Sequence, residues 1–104
     1  MSQVAQIACF VAKDGAQEQL LGAVDAAAAA AAAEPGTLAY ISHVEQGDPR
    51  VVWIYELYAD EEARVAHVES DATARLRAAL AEVLDRPPTV TRAVARQPFG
   101  GVAS

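Results

Sequence analysis

The sequence is poor in the side chains on which several classes of function depend. Lysine occurs once, at Lys13, and acidic residues outnumber basic ones 14 to 8, for a net charge of −6. A nucleic-acid footprint needs clustered Lys and Arg, so this balance argues against nucleic acid as a partner. The single cysteine, Cys9, permits no intrachain disulfide and no zinc constellation, and it fits a reducing, cytoplasmic compartment. No apolar run of roughly 18 residues is free of charge, and Met1-Ser2-Gln3 opens a strand pattern rather than a basic, apolar leader. The expectation is a soluble chain with no membrane span. Metal-ligand spacing, a glycine-rich phosphate loop and a nucleophile elbow are all missing, so no metal and no cofactor is expected.

What the sequence does contain is one domain of 104 residues, with a core over about 4–96 and a tail over 97–104 that extends onto a partner or frays. A core of this size is small, which suits a subunit that completes it by pairing. Residues 4–12 alternate as a first strand. Asp14 and Gln17 have the spacing of a capping box, and Leu20, Val24, Ala27 or Ala28, and Ala31 recur at helical spacing. These features predict a helix over about 15–33 whose alanine tract, Ala26 to Ala33, packs through small side chains. Pro35 ends it and Gly36 supplies the turn.

Residues 37–44 and 51–58 read as strands joined through the turn Gln46-Gly47-Asp48-Pro49. Asp60 caps a short helix with Glu61 and Glu62 at its positive end. Ser70 caps another, with Leu76, Leu80, Val83 and Leu84 on one face and Pro87-Pro88 beyond it. Residues 89–96 form the last strand. The order β-α-β-β-α-α-β is the ferredoxin-like split βαβ: an α+β fold with a four-stranded antiparallel sheet and helices on one face. The other face carries a second apolar set and needs a cover, which a second copy would supply as an isologous homodimer.

The stretch Trp53-Ile54-Tyr55-Glu56-Leu57-Tyr58 reads as a strand buried on both faces, with a lone carboxylate in it. A carboxylate taken out of water is costly unless it is paired, so Glu56 predicts a polar pocket inside an apolar body. His67 on the following helix, Arg92 and Arg96 are its candidate partners. Trp53 and Tyr55 share one face of the strand, and Glu56 and Tyr58 the other. Cys9 reads as a small buried hydrophobe rather than a nucleophile, and His43 as solvent-facing.

The ordered set Glu34-Pro35-Gly36, Tyr40, Asp48-Pro49, Tyr55-Glu56-Leu57-Tyr58, Glu62-Ala63 and His67 resembles the antibiotic biosynthesis monooxygenase family from Val4 to about Arg96. The resemblance implies the dimeric α+β barrel. It also implies a cofactor-independent monooxygenase acting on a small aromatic or oxygen-rich metabolite, with His67 and Glu56 as the acid/base pair and Tyr58 and Tyr40 binding substrate. Tyr58 replaces the family's Trp. The positions matching the heme-degrading relatives hold Ala8, His67 and Arg77, so heme is not implied. The positions matching the quinone-forming oxygenases hold Ile54, Tyr58 and Arg64, and a second His found in many members is Ala72. These departures leave open an alternative: a non-catalytic, small-ligand-binding or stress-associated dimer, or a related isomerase.

Overall fold

A computed structural model describes residues 2–96. The elements are β1 (Val4–Val11), α1 (Gln17–Ala31), β2 (Thr37–Val44), β3 (Val51–Tyr58), α2 (Glu61–Val68), α3 (Asp71–Val83) and β4 (Thr89–Val94). The strands form one antiparallel sheet in the order β2-β3-β1-β4, with the three helices packed on one face. This is the expected split βαβ. The tail over 97–104 lies outside the described residues.

Period-two alternation assigns the side chains to faces. Ala8 and Phe10 of β1 and Val52 and Ile54 of β3 point toward the helices, where they meet Leu20 and Val24 of α1 and Leu80 and Val83 of α3. Burying such side chains contributes about 1.5–3 kcal/mol each for the larger ones, so this layer is the main source of stability. The opposite face carries Ile41, Trp53 and Tyr55, which are 51%, 39% and 36% exposed. The expectation that β3 is buried on both faces therefore holds only on the helix side of a single chain. Cys9, expected in the core, lies on this outer face and is only partly buried. Burial and the charge of Glu45 both push its thiol pKa up, away from nucleophilic character.

Two helix starts follow the sequence. Asp60 accepts the Ala63 amide at 2.9 Å and Ser70 accepts the Thr73 amide at 3.2 Å. The third does not. The residue preceding α1 is Ala16, with no side-chain cap, because Gly15 turns the chain at a φ of +80° and carries Asp14 away from the first turn. Asp14 instead pairs with Arg50 at 3.2 Å. Helix α1 ends at Ala31 and β4 at Val94, each two residues short of expectation. Among the described residues no helix is long and apolar enough to cross a membrane.

Candidate functional site: a carboxylate-histidine-carboxylate chain

The loop after α1 is held by an interaction that only glycine permits. A Cβ on Gly36 would sit 2.5 Å from the Cβ of Ala63, so the absence of a side chain lets the loop pass against α2. The Ala59 amide donates to the Gly36 carbonyl at 2.9 Å and secures the passage. This brings Glu34 over His67. Glu34 Oε1 accepts from the Thr37 hydroxyl at 2.7 Å and lies 2.7 Å from His67 Nδ1.

His67 occupies the last turn of α2, and its backbone is pinned independently. Its carbonyl accepts from the Ser70 hydroxyl at 2.7 Å and the Thr73 hydroxyl at 2.8 Å, both at the start of α3. The ring is buried and points at the sheet. Tyr40 and Tyr58 flank it, with ring centroids at 5.6 and 5.3 Å. Its Nε2 stands 3.7 Å from Glu56 Oε1, close enough for charge interaction but longer than a hydrogen bond.

Glu56 is 3% exposed. Its Oε1 accepts from the Tyr58 hydroxyl and from Gln6 Nε2, the latter at 3.2 Å. Gln6 in turn presents its carbonyl oxygen to Arg64 Nη1 at 3.5 Å, and Arg64 is paired with Glu61. Arg92 and Arg96 are not among the hydrogen-bond or ion-pair partners of Glu56 within the described residues, so the carboxylate is satisfied by Tyr58 and Gln6 with His67 nearby. Desolvation nevertheless raises the pKa of Glu56, against the lowering effects of Tyr58, His67 and Gln6. Burial likewise raises the pKa of both phenols. The negative charges of Glu56 and Glu34 add to this for Tyr40, and the hydrogen bond to Glu56 adds to it for Tyr58. Both tyrosines therefore stay neutral donors.

A cavity of about 120 Å³ opens between α3 and the sheet, with Gln6, Tyr40, Glu56, His67 and Thr73 among its polar walls and Phe10 among its apolar ones. On the far side of the imidazole a second depression is lined by Glu34, Pro35 and Ala63 as well as His67. The ring is thus a partition, with one nitrogen toward the cavity and the other toward Glu34. Of the four residues singled out in the sequence, His67, Glu56 and Tyr40 line the cavity. Tyr58 does not; it stands behind Glu56. Sequence reasoning missed Gln6 and Glu34. Glu34 had a signal, since it opens the Glu-Pro-Gly motif, but that motif also reads as a helix stop.

Comparison with known families bears on what such a site belongs to. A family model described as antibiotic biosynthesis monooxygenase matches residues 3–79, which include every member of the chain Glu34, His67, Glu56. The chain belongs to the antibiotic biosynthesis monooxygenase family.

Solved structures of similar proteins agree with that placement. Rv0793 from Mycobacterium tuberculosis is 30% identical over 92% of this chain and 97% of its own, with a TM-score of 0.86. NE2512 from Nitrosomonas europaea, a protein of unknown function, is also 30% identical, over 96% and 98%, with a TM-score of 0.80. A structure described as an antibiotic biosynthesis monooxygenase is 24% identical over 90% and 99%, with a TM-score of 0.84, a likeness of fold. A search of curated proteins finds no match. Among the described residues of this family member, no group of three or more His, Cys, Asp or Glu is arranged to hold a metal ion.

Proposed function

We propose that this family member is a cofactor-independent monooxygenase that oxidises a compact aromatic or enolic metabolite, with His67 as the base. The observation that supports this reading most is the polarity of the imidazole. Glu34 is an acceptor, already taking a hydrogen bond from Thr37, so the neutral ring carries its proton on Nδ1 and turns the lone pair of Nε2 toward the cavity. Glu34, rather than Glu56, is then the carboxylate that orients the base.

In this mechanism Nε2 takes a proton from an acidic C–H or O–H of the substrate. The resulting carbanion or phenolate supplies the electron pair for a new C–O bond to dioxygen. A second proton is lost from the same carbon as the O–O bond breaks, so a CH2 becomes C=O and the other oxygen atom leaves as water. The Tyr40 hydroxyl holds the substrate oxygen, and Glu56, fixed by Tyr58 and Gln6, stands 3.7 Å from Nε2 on the wall of the same cavity. The apolar walls keep water from competing.

A second reading, ligand binding or isomerisation without oxygen, is favoured by the size of the cavity: about 120 Å³, below the roughly 300–1,000 Å³ of common small-molecule sites. One experiment separates the two. Purified protein is given a panel of phenols, hydroquinones and 1,3-diketones, and oxygen uptake and deuterium exchange at the acidic carbon are followed together. The oxygenase reading expects stoichiometric uptake that His67→Ala removes. Exchange without uptake would replace it with an isomerase, and binding without either with a binder.

The same proposal includes a homodimer, supported by the apolar outer face around Ile41, Trp53 and Tyr55, and a cytoplasmic setting, supported by the single unpaired cysteine.

A further inference from the structure

The cavity beside His67 borders a larger groove of about 510 Å³ between the C-terminal half of α3 and the segment over 85–88. Arg77, Leu80 and Pro88 stand in the walls of both, so the two spaces adjoin. On α3 the cavity is lined by Thr73, Leu76, Arg77 and Leu80, a helical face that runs from the His67 end outward to the groove. Its inner end is acidic, at Glu56. Its outer end is cationic.

Three facts single out Arg77. It is the arginine in the cavity wall. No hydrogen bond or ion pair engages it among the described residues, whereas Arg86, the other arginine of the groove, is paired with Asp85 at 3.1 Å. The protein as a whole has a net charge of −6, so an anion held here must be held by a local cation and not by the general field. The cavity itself limits what lies further in. A volume of about 120 Å³ is near the roughly 150 Å³ that accommodates a benzene ring.

We propose that Arg77 anchors a carboxylate of the substrate at the cavity mouth, which makes the substrate a one-ring or smaller acid whose protic group reaches His67. This rests on the proposed function, since it names the substrate class of the same site. A carboxylate fits better than a phosphate dianion, because the groove's other charged residues, Arg86 and Asp85, pair with each other and leave one guanidinium to offer a single bidentate fork.

The probes are 4-hydroxybenzoate and its neutral methyl ester, titrated by calorimetry into wild type, Arg77→Gln and Arg77→Lys. Wild type should prefer the acid by about tenfold, a modest factor because Arg77 is exposed, and the preference should shrink as salt rises. Arg77→Gln should abolish the preference while binding the ester as wild type does, and Arg77→Lys should retain part of it. Equal affinity of wild type for acid and ester, or an unchanged preference in Arg77→Gln, would overturn the anchor and leave the proposed function standing. Failure of both probes to bind would remove the aromatic site and the anchor together.

Discussion

His67 Nδ1 lies 2.7 Å from Glu34 Oε1, and this contact decides which ring nitrogen faces the cavity. The carboxylate comes from the loop between α1 and β2 and the imidazole from α2, so the pair exists only in the folded chain. Nitrogen-15 spectra of neutral His67 should show the proton on Nδ1. Glu34→Ala should give a mixture of tautomers and lower any proton-abstraction activity by about tenfold or more, up to the roughly 10⁴-fold that follows when the wrong tautomer takes over. Spectra with the proton on Nε2 in the wild-type protein would refute the assignment of His67 as base.

Burial holds Glu56 above the ordinary glutamate value of 4.5, and the sign of the consequence follows from linkage. Between that value and the raised one, the folded protein binds more protons at this position than the unfolded chain does. The stabilising contribution of the group is therefore complete below about pH 4.5 and is lost as pH rises through the folded value. Glutamine stays neutral throughout. Glu56→Gln should gain stability relative to wild type as pH is raised from about 4.5 toward neutrality, measured by urea denaturation at intervals. A variant that loses ground with rising pH would show that Glu56 is favoured in the fold as a carboxylate.

The sequence made the element order legible because its punctuation is local. Asp60, Ser70, Pro35 and Gly47 each act within a turn of where they stand, and three of the four do what their chemistry suggests at the predicted place. Pro35 lies four residues past the observed end of α1 at Ala31. Asp14 failed as a cap for an equally local reason, the left-handed turn at Gly15. The site was legible only in part. Glu56 and His67 could be paired on strand parity and helix position, but that a carboxylate from another loop takes the opposite ring nitrogen depends on a loop-helix contact 33 residues apart. No periodicity carries that. The roles of Tyr40 and Tyr58 were likewise indistinguishable in sequence, and only the sheet register, which puts Tyr40 beside Glu56, separates the cavity wall from the support behind it.

Gly36 offers a test of how that loop is placed. An alanine there meets the Ala63 side chain at 2.5 Å, and both atoms are one bond from backbone, so neither can swing aside. Gly36→Ala should cost about 1–3 kcal/mol, the range for overpacking a filled site. It should also weaken the Glu34–His67 contact. Adding Ala63→Gly should recover most of the stability, giving a coupling energy in a double-mutant cycle, although glycine within α2 carries its own cost of about 1 kcal/mol. Additive losses would mean that the loop yields and that the tight passage does not position Glu34.

The outer face of the sheet sets the last test. Ile41 and Tyr55 are register partners on adjacent strands, Trp53 pairs with His43 two positions along, and all three large side chains point away from the helices. An apolar patch of this kind on a sheet face is the sort of surface that a second subunit covers. At micromolar concentration, sedimentation should give twice the chain mass of 10.9 kDa. In a two-fold interface each substitution appears twice, so Ile41→Glu places a pair of like charges in or beside one apolar layer and should shift the equilibrium toward monomer. Trp53 provides an independent signal: its indole donates to Glu45 at 3.0 Å at the border of this face, and its emission should move to longer wavelength when the partner leaves. A wild-type protein that sediments as a stable monomer, with the same tryptophan emission as Ile41→Glu, would eliminate the homodimer while leaving the cavity chemistry of a single chain intact.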